Sequence, residues 1–244
     1  MKVMLMSGGN GKFASQIIKF NTEYKIHAPS RSEMDITDYK QITKWIENTK
    51  PDTFLHAAAF TRPMNKHEKY PLESINTNIV GTSNIAMACI QYGVKLVYIS
   101  TDYVYPGTVG NYKEDDTLSP YPGNNDGVTK YGWSKLGGEC AVRMQSDSLI
   151  LRVCMCDHPF PHPRAAIDIK KSLMYNHEAA QIILKLLEET GVINIGGPPQ
   201  TVYEFASQSN SDVGKIHTYE ITDVKIAPDT TMNVDKMKRI IDHE

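Results

Sequence analysis

The stretch Lys2-Val3-Met4-Leu5-Met6-Ser7-Gly8-Gly9-Asn10-Gly11-Lys12-Phe13-Ala14 decides the fold. It begins with an apolar run, which predicts a buried strand at Lys2–Met6. It leads into a segment from Lys12 to about Phe20 that predicts a helix. Three small residues at the turn have the spacing G-x-x-G-x-x-A: Gly8, Gly11 and Ala14. A strand, a glycine-rich turn and a helix in this order are typical of the first unit of an open α/β sheet.

The rest of the chain continues to alternate short apolar runs with amphipathic stretches. Further strands are predicted at Tyr24–Ala28, Thr53–Ala59, Val94–Ser100, Ser148–Val153 and Val192–Ile195. Further helices are predicted at Thr37–Asn48, with Thr37 as a possible cap, and at Pro71–Tyr92, Asp126–Met144 and Ala179–Glu189. Strands that alternate with helices form right-handed βαβ crossovers and a mostly parallel sheet. We therefore predict an α/β protein with a Rossmann-like, doubly wound parallel sheet and a small C-terminal lobe.

The character of the chain changes at the turn cluster Gly196-Gly197-Pro198-Pro199. The predicted domains are therefore residues 1–196 and residues 197–244, and helices are predicted in the second part at Thr201–Gly214 and near Asp235–Ile241. Three prolines in the His-rich stretch 157–164 forbid regular structure. We expect an irregular insertion at about 154–176. Its histidines, His158 and His162, belong either to a flexible lid or, the reading we favour, to a truncated connection.

Composition excludes several classes of protein. The chain has 244 residues, 41% hydrophobic and 22% charged, with a formal net charge of −2. A packed core is possible, and the charge argues against binding to nucleic acid or to a membrane surface. No apolar run approaches the ~18 residues of a membrane span, and the N-terminus lacks the long apolar stretch of a secretory signal. The cysteines lack the spacing of a disulfide framework, which favours the cytoplasm: Cys89, Cys140, Cys154 and Cys156.

The glycine turn predicts a dinucleotide site. Small residues let the backbone approach a pyrophosphate, and a helix N-terminus supplies free N–H groups and partial positive charge. A plain tight turn would not account for three small residues at this spacing. The candidate cofactor-binding residues at the turn are Gly8, Asn10, Gly11, Lys12 and Phe13.

The end of the second strand predicts which dinucleotide is preferred. A carboxylate at this place binds the ribose 2′-hydroxyl of NAD, but the sequence Ala28-Pro29-Ser30-Arg31-Ser32 has no acid before Glu33. Ser30 and the guanidinium of Arg31 could hold a 2′-phosphate. We therefore expect NADP(H) to be preferred over NAD(H), the alternative being that Arg31 is an ordinary solvated side chain.

Two further stretches predict acid–base chemistry. Tyr131-Gly132-Trp133-Ser134-Lys135 places Tyr131 and Lys135 on one helix face, where the ammonium would lower the phenol pKa and could bond the nicotinamide ribose. Ser100-Thr101-Asp102-Tyr103-Val104-Tyr105 follows the fourth strand, and ligands of open α/β sheets bind beyond the carboxyl ends of strands. Thr101 is thus placed to donate to a substrate carbonyl. A Tyr-x-x-x-Lys pair alone is common by chance, but with the glycine turn it forms one consistent constellation.

On these residues the chain resembles the extended short-chain dehydrogenase/reductases and, within them, the dTDP-4-dehydrorhamnose reductase family. The other matching stretches are Asp35-Ile36-Thr37-Asp38, His56-Ala57-Ala58-Ala59-Phe60-Thr61, Asn78-Ile79-Val80-Gly81-Thr82, Leu151-Arg152, Ile193-Asn194-Ile195-Gly196-Gly197 and Asp229–Met237. The resemblance implies that Tyr131 is the proton donor, Lys135 its electrostatic partner and ribose clamp, and Thr101 the carbonyl ligand.

The resemblance also assigns the rest of the cofactor groove. Asp35 and Ile36 would lie on the adenine, and small side chains would line the groove at Ala57, Ala58 and Ala59, although close packing of helix on sheet explains the alanines equally well. Asn78 would either support the loop after the third strand or cap local backbone.

The implied activity is NADPH-dependent reduction of a 4-keto-6-deoxy sugar attached to a nucleoside diphosphate. A homodimer is expected, and no metal, nucleic acid or membrane partner. Only about two dozen residues separate Arg152 from the helix near His177, so the substrate lobe is shorter than in the family. One alternative is a cofactor-binding regulatory subunit resembling that of methionine adenosyltransferase. Another is a related sugar-nucleotide epimerase or dehydratase. Relatives that also epimerise tend to carry a cysteine where this chain has Asp102.

Overall fold

The computed structural model describes residues 1–121, 130–222 and 224–242. Strands and helices alternate along the first part of the chain as β1 Lys2–Ser7, α1 Lys12–Phe20, β2 Tyr24–His27, α2 Tyr39–Thr49, β3 Thr53–His56, α3 Asn65–Lys69, α4 Pro71–Ser74, a π-helix Ile75–Gly81, α5 Thr82–Tyr92, β4 Lys95–Thr101, a 3₁₀ turn Asp102–Val104, α6 Lys130–Val142 and β5 Leu149–Val153. The remaining elements are β6 Met155–Cys156, β7 Arg164–Ala166, β8 Lys170–Lys171, β9 Met174–Tyr175, α7 Asn176–Lys185, β10 Gly191–Ile195, β11 Gln200–Thr201, α8 Val202–Ser207, β12 Gly214–Ile216, a 3₁₀ turn Thr218–Glu220 and α9 Asp235–Asp242.

The centre of the molecule is a six-stranded sheet with the order β2-β1-β3-β4-β5-β10. Its neighbouring strands are all parallel, so the predicted doubly wound fold is confirmed. The register sets Ser7 opposite His56 and His56 opposite Tyr98, which brings the carboxyl ends of β1, β3 and β4 to one edge. The chain runs outward in opposite directions from β1 and β3, and such a switch point is where open sheets bind ligands.

Helices cover both faces of the sheet. Met4 and Met6 of β1 face a cluster that includes Ile17 of α1 and Ile183 of α7. Leu5, between them, faces the opposite cluster, which includes side chains of α2, α5 and α6. Each aliphatic side chain fully buried in this way contributes roughly 1.5–3 kcal/mol. The alternation along β1 explains why an unbroken apolar run encodes a strand that is buried on both sides.

The prediction for the second helix needs correction at its boundary. The second helix begins at Tyr39, and its cap is Asp38, whose carboxylate accepts from the N–H groups of Lys40 and Gln41. Thr37, the predicted cap, instead donates its hydroxyl to Asp35 Oδ1 at 2.8 Å. A carboxylate at the cap carries the charge that a helix N-terminus favours, which explains why Asp38 takes the position.

The predicted helix Pro71–Tyr92 is helical throughout but is not a single α-helix. It consists of α4, the π-helix and α5, and it ends at Gly93, which has the left-handed φ of 66° expected of a C-cap glycine. The π-turns are local departures from the α-helix that commonly occur at functional sites. The predicted helix Asp126–Met144 is described from Lys130 to Val142, and its residues 126–129 lie outside the described residues.

The C-terminal part forms a lobe together with the Pro/His-rich insertion. Strand β12 pairs with β7 and β11 pairs with β8, so residues from before and after α7 share small two-stranded sheets. The helix predicted at Thr201–Gly214 is wrong in extent, because α8 ends at Ser207 and strand β12 starts at Gly214. The predicted domain boundary at residue 196 stays a prediction.

A buried ion pair fastens α6 to the sheet. Arg152 and Glu139 are fully buried and make two hydrogen bonds, of 3.1 and 2.9 Å. Arg152 also donates to the hydroxyl of Tyr105 at 2.7 Å, and Tyr105 donates to Asn194 at 2.8 Å. This network orients the helix that carries the Tyr-x-x-x-Lys pair. Among the described residues, we find no helix with both the length and the apolar character required to span a membrane.

Candidate active site

The glycine turn lies against the loop after β3. Gly8 has φ +78°, and a Cβ there would come within 2.9 Å of the backbone nitrogen of Ala58. Any side chain at this position would therefore push the turn away from β3. Ala57, Ala58 and Ala59 are all half-buried along the same edge. The structure thus brings the turn and the alanines together at the switch point, as predicted.

The N-terminus of α1 is open to a ligand. Gly11 caps the helix without a side-chain hydrogen bond, and the first turn contains no acidic residue, so its N–H groups and positive partial charge are not neutralised locally. Asn10 and Lys12 are exposed, while the side chain of Phe13 is buried in the core. Phe13 can therefore contribute only its backbone.

The predicted 2′-phosphate region lies after β2. The side chain of Arg31 is 82% exposed, with its Nε 3.7 Å from Asp35 Oδ2. The carboxylate of Glu33 accepts from both the N–H and the hydroxyl of Ser30, each at 2.7 Å. Ser30 and Arg31 are thus close together, but Ser30 already bonds the carboxylate of Glu33. From the sequence, Glu33 was discounted because it comes after the position where an NAD-binding acid is expected.

The two residues assigned to the adenine follow directly. The carboxylate of Asp35 accepts from the backbone and hydroxyl of Thr37, which lowers its pKa. The side chain of Ile36 is buried beside Gly81, where a Cβ would approach within 2.7 Å. Asp35 is half-buried and could reach a ligand, whereas Ile36 offers mainly its backbone.

Thr101 and Tyr131 meet at the end of β4. Thr101 is the last residue of that strand, and its hydroxyl donates to Asp102 Oδ1 at 3.0 Å. Burial raises the pKa of Tyr131 well above its ordinary value, and a hydrogen bond with Thr101 only partly opposes this. The sequence predicted a lowered phenol pKa, so that expectation is wrong for the protein by itself. The low polarity around the ring outweighs any nearby positive charge.

Lys135 reaches the same strand from α6. It is buried, its Nζ donates to the carbonyl of Ile99 at 2.8 Å, and the ammonium lies 4.1 Å from the ring centroid of Tyr98. Burial lowers its pKa to about 7, and Glu139 one turn further along the helix opposes the shift. Among the described residues, the Lys135 side chain therefore has one direct hydrogen bond. Its acceptor, Ile99, lies two residues before Thr101 in β4.

Asn78, on the π-helix, holds the loop after β3. Its side-chain amide accepts from the N–H of Phe60 at 2.8 Å and donates to the carbonyl of Phe60 at 2.9 Å. It also donates to the hydroxyl of Ser134, at 2.9 Å. Of the two roles open for Asn78, support of this loop is confirmed.

Sequence reasoning missed a buried charge cluster beside Thr101. The carboxylate of Asp102 accepts from Lys171 Nζ at 2.6 Å and from the hydroxyl of Thr230 at 2.5 Å. Lys171 lies in the short strand β8 and Thr230 near the chain's end. Nothing in a Lys-Lys pair or an isolated threonine signals this contact, because it joins residues 69 and 128 positions away from Asp102.

A second cluster missed from sequence joins the Pro/His-rich stretch to the glycine turn. Asp157 accepts from Lys12 Nζ at 2.6 Å and lies 3.9 Å from Arg62 Nη1. Asn176 also donates to Asp157, at 2.7 Å. This stretch is therefore attached to the edge that carries the site. His158 of the same stretch packs instead against the rings of Tyr175 and His177.

The first part of the chain is similar in sequence to known proteins. A protein-family profile described as "RmlD substrate binding domain" matches residues 1–156. The protein of Aggregatibacter actinomycetemcomitans named dTDP-4-dehydrorhamnose reductase is 31% identical over 157 residues, which are 62% of this chain and 51% of that protein. Methionine adenosyltransferase 2 subunit beta of Xenopus laevis is 30% identical over 159 residues, 61% of this chain and 45% of that protein. The chain thus spans about half the length of these relatives.

Solved structures resemble the whole chain. That of a dTDP-4-dehydrorhamnose reductase from Bacillus anthracis in complex with NADP has a TM-score of 0.85 at 23% identity, and the match covers 98% of this chain and 92% of that one. That of a Clostridium acetobutylicum dTDP-4-dehydrorhamnose reductase ortholog gives 0.84 at 21%, with the same coverage. The match of folds includes the C-terminal lobe, whereas the family profile ends at residue 156.

Proposed function

The chain belongs to the RmlD substrate binding domain family, and we propose that it is an NADPH-dependent reductase of a 4-keto-6-deoxy sugar nucleotide, of the dTDP-4-dehydrorhamnose type. The observation that carries the proposal is the convergence of Thr101, Tyr131 and Lys135 on the end of β4. That end lies at the same edge of the sheet as the glycine turn. The family relatives named as dTDP-4-dehydrorhamnose reductases support the choice of substrate class.

The residues present fit a nicotinamide dinucleotide. The backbone of Gly8 approaches β3 more closely than any side chain would permit, and the uncapped N-terminus of α1 suits a pyrophosphate. Lys12 would add a cation at that terminus if its ammonium exchanged the contact with Asp157 for the pyrophosphate. When bound, the cofactor supplies a hydride, that is, a proton with two electrons, to the carbonyl carbon of the substrate.

The side chains of the site would divide the remaining work. Tyr131 gives its phenolic proton to the oxygen that becomes the alcohol, and Thr101 donates a hydrogen bond to the same oxygen while negative charge develops there. Lys135 presents its ammonium to the nicotinamide ribose and to the Tyr131 phenolate that remains. The C-terminal lobe, residues 197–244 with the insertion at about 154–176, would hold the sugar nucleotide.

The raised pKa of Tyr131 suits the direction of the reaction. A proton donor must hold its proton before the hydride arrives, and burial keeps this phenol protonated at neutral pH. Transfer then becomes favourable, because the alkoxide formed from the ketone is a stronger base than a phenolate. The protonated phenol of Tyr131 is therefore ready to act as the proton donor in the reduction.

The test is NADPH oxidation, followed by absorbance, with a panel of 4-keto-6-deoxy sugars carried on different nucleoside diphosphates. Turnover with dTDP-4-dehydrorhamnose and a product alcohol at C4 is expected. Cycling of the cofactor without net NADPH consumption would indicate an epimerase or dehydratase instead. No consumption with any member of the panel would reject the reductase.

A second candidate function rests on the similarity to methionine adenosyltransferase 2 subunit beta. In this case the dinucleotide site would stabilise a regulatory subunit without turnover. The discriminating measurement is binding to a methionine adenosyltransferase catalytic subunit, with and without NADPH. Binding together with inactivity on the sugar-nucleotide panel would favour this role. The intact Thr101, Tyr131 and Lys135 make it the weaker candidate.

The homodimer is proposed through the outer faces of α5 and α6. Met87 and Ile90 on α5 are 53% and 49% exposed, Trp133 on α6 is 46% exposed, and Met144, two residues after α6, is 78% exposed. These adjacent helices present a joint apolar surface that dimerisation would cover. Light scattering after gel filtration should give twice the chain mass, and Trp133→Glu should give the monomer. Tyr219→Glu, at an exposed aromatic on the other lobe, is the matched control.

A further inference from the structure

We propose that Lys171 and Thr230 are positioning residues for the reaction, which hold the Asp102 carboxylate so that Thr101 can turn its hydroxyl toward the substrate. The inference rests on the proposed function. It extends the active site into the C-terminal lobe, and it gives a task to a buried ion pair that the glycine turn and the Tyr-x-x-x-Lys pair do not explain.

The two oxygens of Asp102 have different partners. Oδ2 accepts from Lys171 at 2.6 Å and from Thr230 at 2.5 Å, and Lys171 also donates to the Thr230 hydroxyl at 2.9 Å. Oδ1 accepts from Thr101 at 3.0 Å. The strong, charge-assisted contacts therefore lie on the oxygen that faces the lobe, and the weaker contact lies on the oxygen that faces the site.

The asymmetry matters because a hydroxyl has a single proton. Thr101 can donate it to Asp102 or to a substrate carbonyl, but not to both. Lys171 and Thr230 draw the negative charge of Asp102 toward Oδ2, which makes Oδ1 a weaker acceptor. Thr101 is then kept in place by a bond that it can exchange for the carbonyl when substrate arrives.

Burial makes this arrangement sensitive to its charges. Asp102 and Lys171 are 2% and 7% exposed, and the ammonium lies 4.1 Å from the ring centroid of Tyr103. The other titratable groups that face Asp102 are Tyr103, Tyr131 and the thiol of Cys154. Burial raises the pKa of all three, so they stay neutral around pH 7. Asp102 and Lys171 are the charged pair next to Thr101 in the described part of this cluster, and the charge of Arg62 also acts on Tyr131.

The lobe supplies both partners at one place. Lys171 ends β8, and the preceding Lys170 accepts the N–H of Thr230 at its carbonyl, at 3.2 Å. Correct seating of this part of the lobe thus places the ammonium and the hydroxyl on Asp102 at the same time. Catalysis would depend on a lobe whose sequence lies beyond the family match.

The first experiment replaces Lys171 and follows the pH profile of kcat. In Lys171→Met the Asp102 carboxylate loses its cation and should accept the Thr101 hydrogen bond more strongly. The hydroxyl is then less available to the substrate, so kcat should fall about 10²-fold at pH 8. A buried carboxylate without its cation binds a proton at higher pH. The loss of kcat in Lys171→Met should therefore shrink toward pH 5. Lys171→Arg should restore most of kcat, and Lys170→Met, at the exposed neighbour, should behave as wild type.

The second experiment uses a milder change, in case Lys171→Met folds poorly. Thr230→Val removes one donor from Oδ2 and should lower kcat about tenfold with KM for NADPH unchanged. Thr231→Val is the matched control, because the Thr231 hydroxyl bonds Asp229 and the N–H of Asn111 rather than Asp102. A purely structural role would lower the yield of folded protein in both variants and leave kcat per folded molecule unchanged.

The outcomes separate this inference from the proposed function. Wild-type turnover with unchanged kcat and pH profile in Lys171→Met and Thr230→Val overturns the inference alone. Absence of wild-type turnover with the whole sugar-nucleotide panel overturns both. The pH-dependent loss should also disappear in the Asp102→Asn/Lys171→Met double variant, and its persistence there would show that another group is responsible.

Discussion

Two buried lysines at the same end of the sheet both lie over a tyrosine ring, but their pKa values are shifted in opposite directions. Each ammonium lies 4.1 Å from the ring centroid of a tyrosine, Lys135 over Tyr98 and Lys171 over Tyr103. Burial lowers the pKa of Lys135 to about 7. For Lys171 the same burial is outweighed by Asp102, and its pKa is raised above the ordinary value.

A carboxylate in direct contact is what distinguishes them. Lys171 directs two of its three N–H donors to Asp102 and Thr230, so it holds other residues and has less left to offer a ligand. Among the described residues Lys135 contacts one backbone carbonyl and an aromatic face, which leaves N–H donors that a bound molecule could accept from. The comparison separates a lysine that binds from a lysine that positions, which burial alone would not do.

The largest effect is expected from the phenol of Tyr131, which lies beside Thr101 and Asp102 at this end of the sheet. Tyr131→Phe should lower kcat roughly 10³-fold, because it removes the only proposed proton donor. Cofactor affinity should stay within about twofold of the wild type, since the ring and Lys135 remain. Steady-state kinetics and fluorescence titration with NADPH measure the two quantities.

Tyr98→Phe is the matched control for this change. Its ring supports Lys135, and its hydroxyl donates to the backbone carbonyl of Lys135 at 3.3 Å and has a hydrogen bond with the side chain of Thr82. It should cost about 1 kcal/mol of stability and leave kcat within a few fold. Equal losses of kcat in Tyr98→Phe and Tyr131→Phe would mean that ring packing, rather than proton donation, limits turnover.

The lysine comparison itself is tested by matched methionine variants. Lys135→Met should lower kcat about 10²-fold and weaken NADPH binding, because it removes an ammonium aimed at the reacting groups. It should not destabilise the protein, since the charge it removes is costly to bury. Lys171→Met should instead lose about 3 kcal/mol, because Asp102 is left buried without its cation.

Chemical denaturation of the two variants at pH 6.5 gives both numbers under one condition. A destabilised Lys135→Met with an unaffected Lys171→Met would reverse the assignment. Equal changes in both would show that the aromatic contact, which they share, matters more than the carboxylate, which they do not.

Arg31 adds an exposed cation to the comparison of the two buried lysines, and a smaller effect is expected from its replacement. Arg31→Ala should reduce the preference for NADPH over NADH, measured as the ratio of kcat/KM values, by about tenfold. Glu33→Gln should increase that preference, because the Glu33 carboxylate occupies Ser30 and repels a phosphate. An unchanged ratio in both variants would leave Arg31 as a solvated surface residue.

The sequence predicted the fold and one half of the site, and the division has a physical cause. The strands, the glycine turn and the Tyr-x-x-x-Lys pair are local patterns, in which spacing along the chain determines which residues share a face or a turn. The structure brought Gly8, Thr101 and Lys135 to one edge because parallel strands end together. A predicted helix boundary was wrong where two neighbouring side chains could each cap the helix, since Asp38 rather than Thr37 caps α2.

The other half of the site depends on contacts between distant segments. Asp102 meets Thr230 across 128 positions, and Lys12 meets Asp157 across 145. No spacing rule predicts such pairs. The direction of a buried group's pKa is equally hard to predict, because it depends on which partner arrives from elsewhere, as the two lysines show. Sequence reasoning therefore predicted that Lys135 would be charged and overlooked Lys171.

The two lysines should also differ in how they make stability depend on pH. Lys135 binds its proton below about pH 7 in the folded protein and below its ordinary 10.5 when unfolded. Between these values the unfolded state holds more protons, so the free energy of unfolding should rise with pH by up to about 1.4 kcal/mol per unit. Lys171 has the opposite shift, so its contribution is fully present through this window and is lost only above pH 10.5.

Denaturation of cofactor-free protein from pH 6 to 9 should show the rise in the free energy of unfolding in wild type and Lys171→Arg and lack it in Lys135→Met. The same slope in all three would mean that Lys135 keeps its proton in the folded protein despite having no carboxylate in contact, and the two lysines would then differ only in their neighbours.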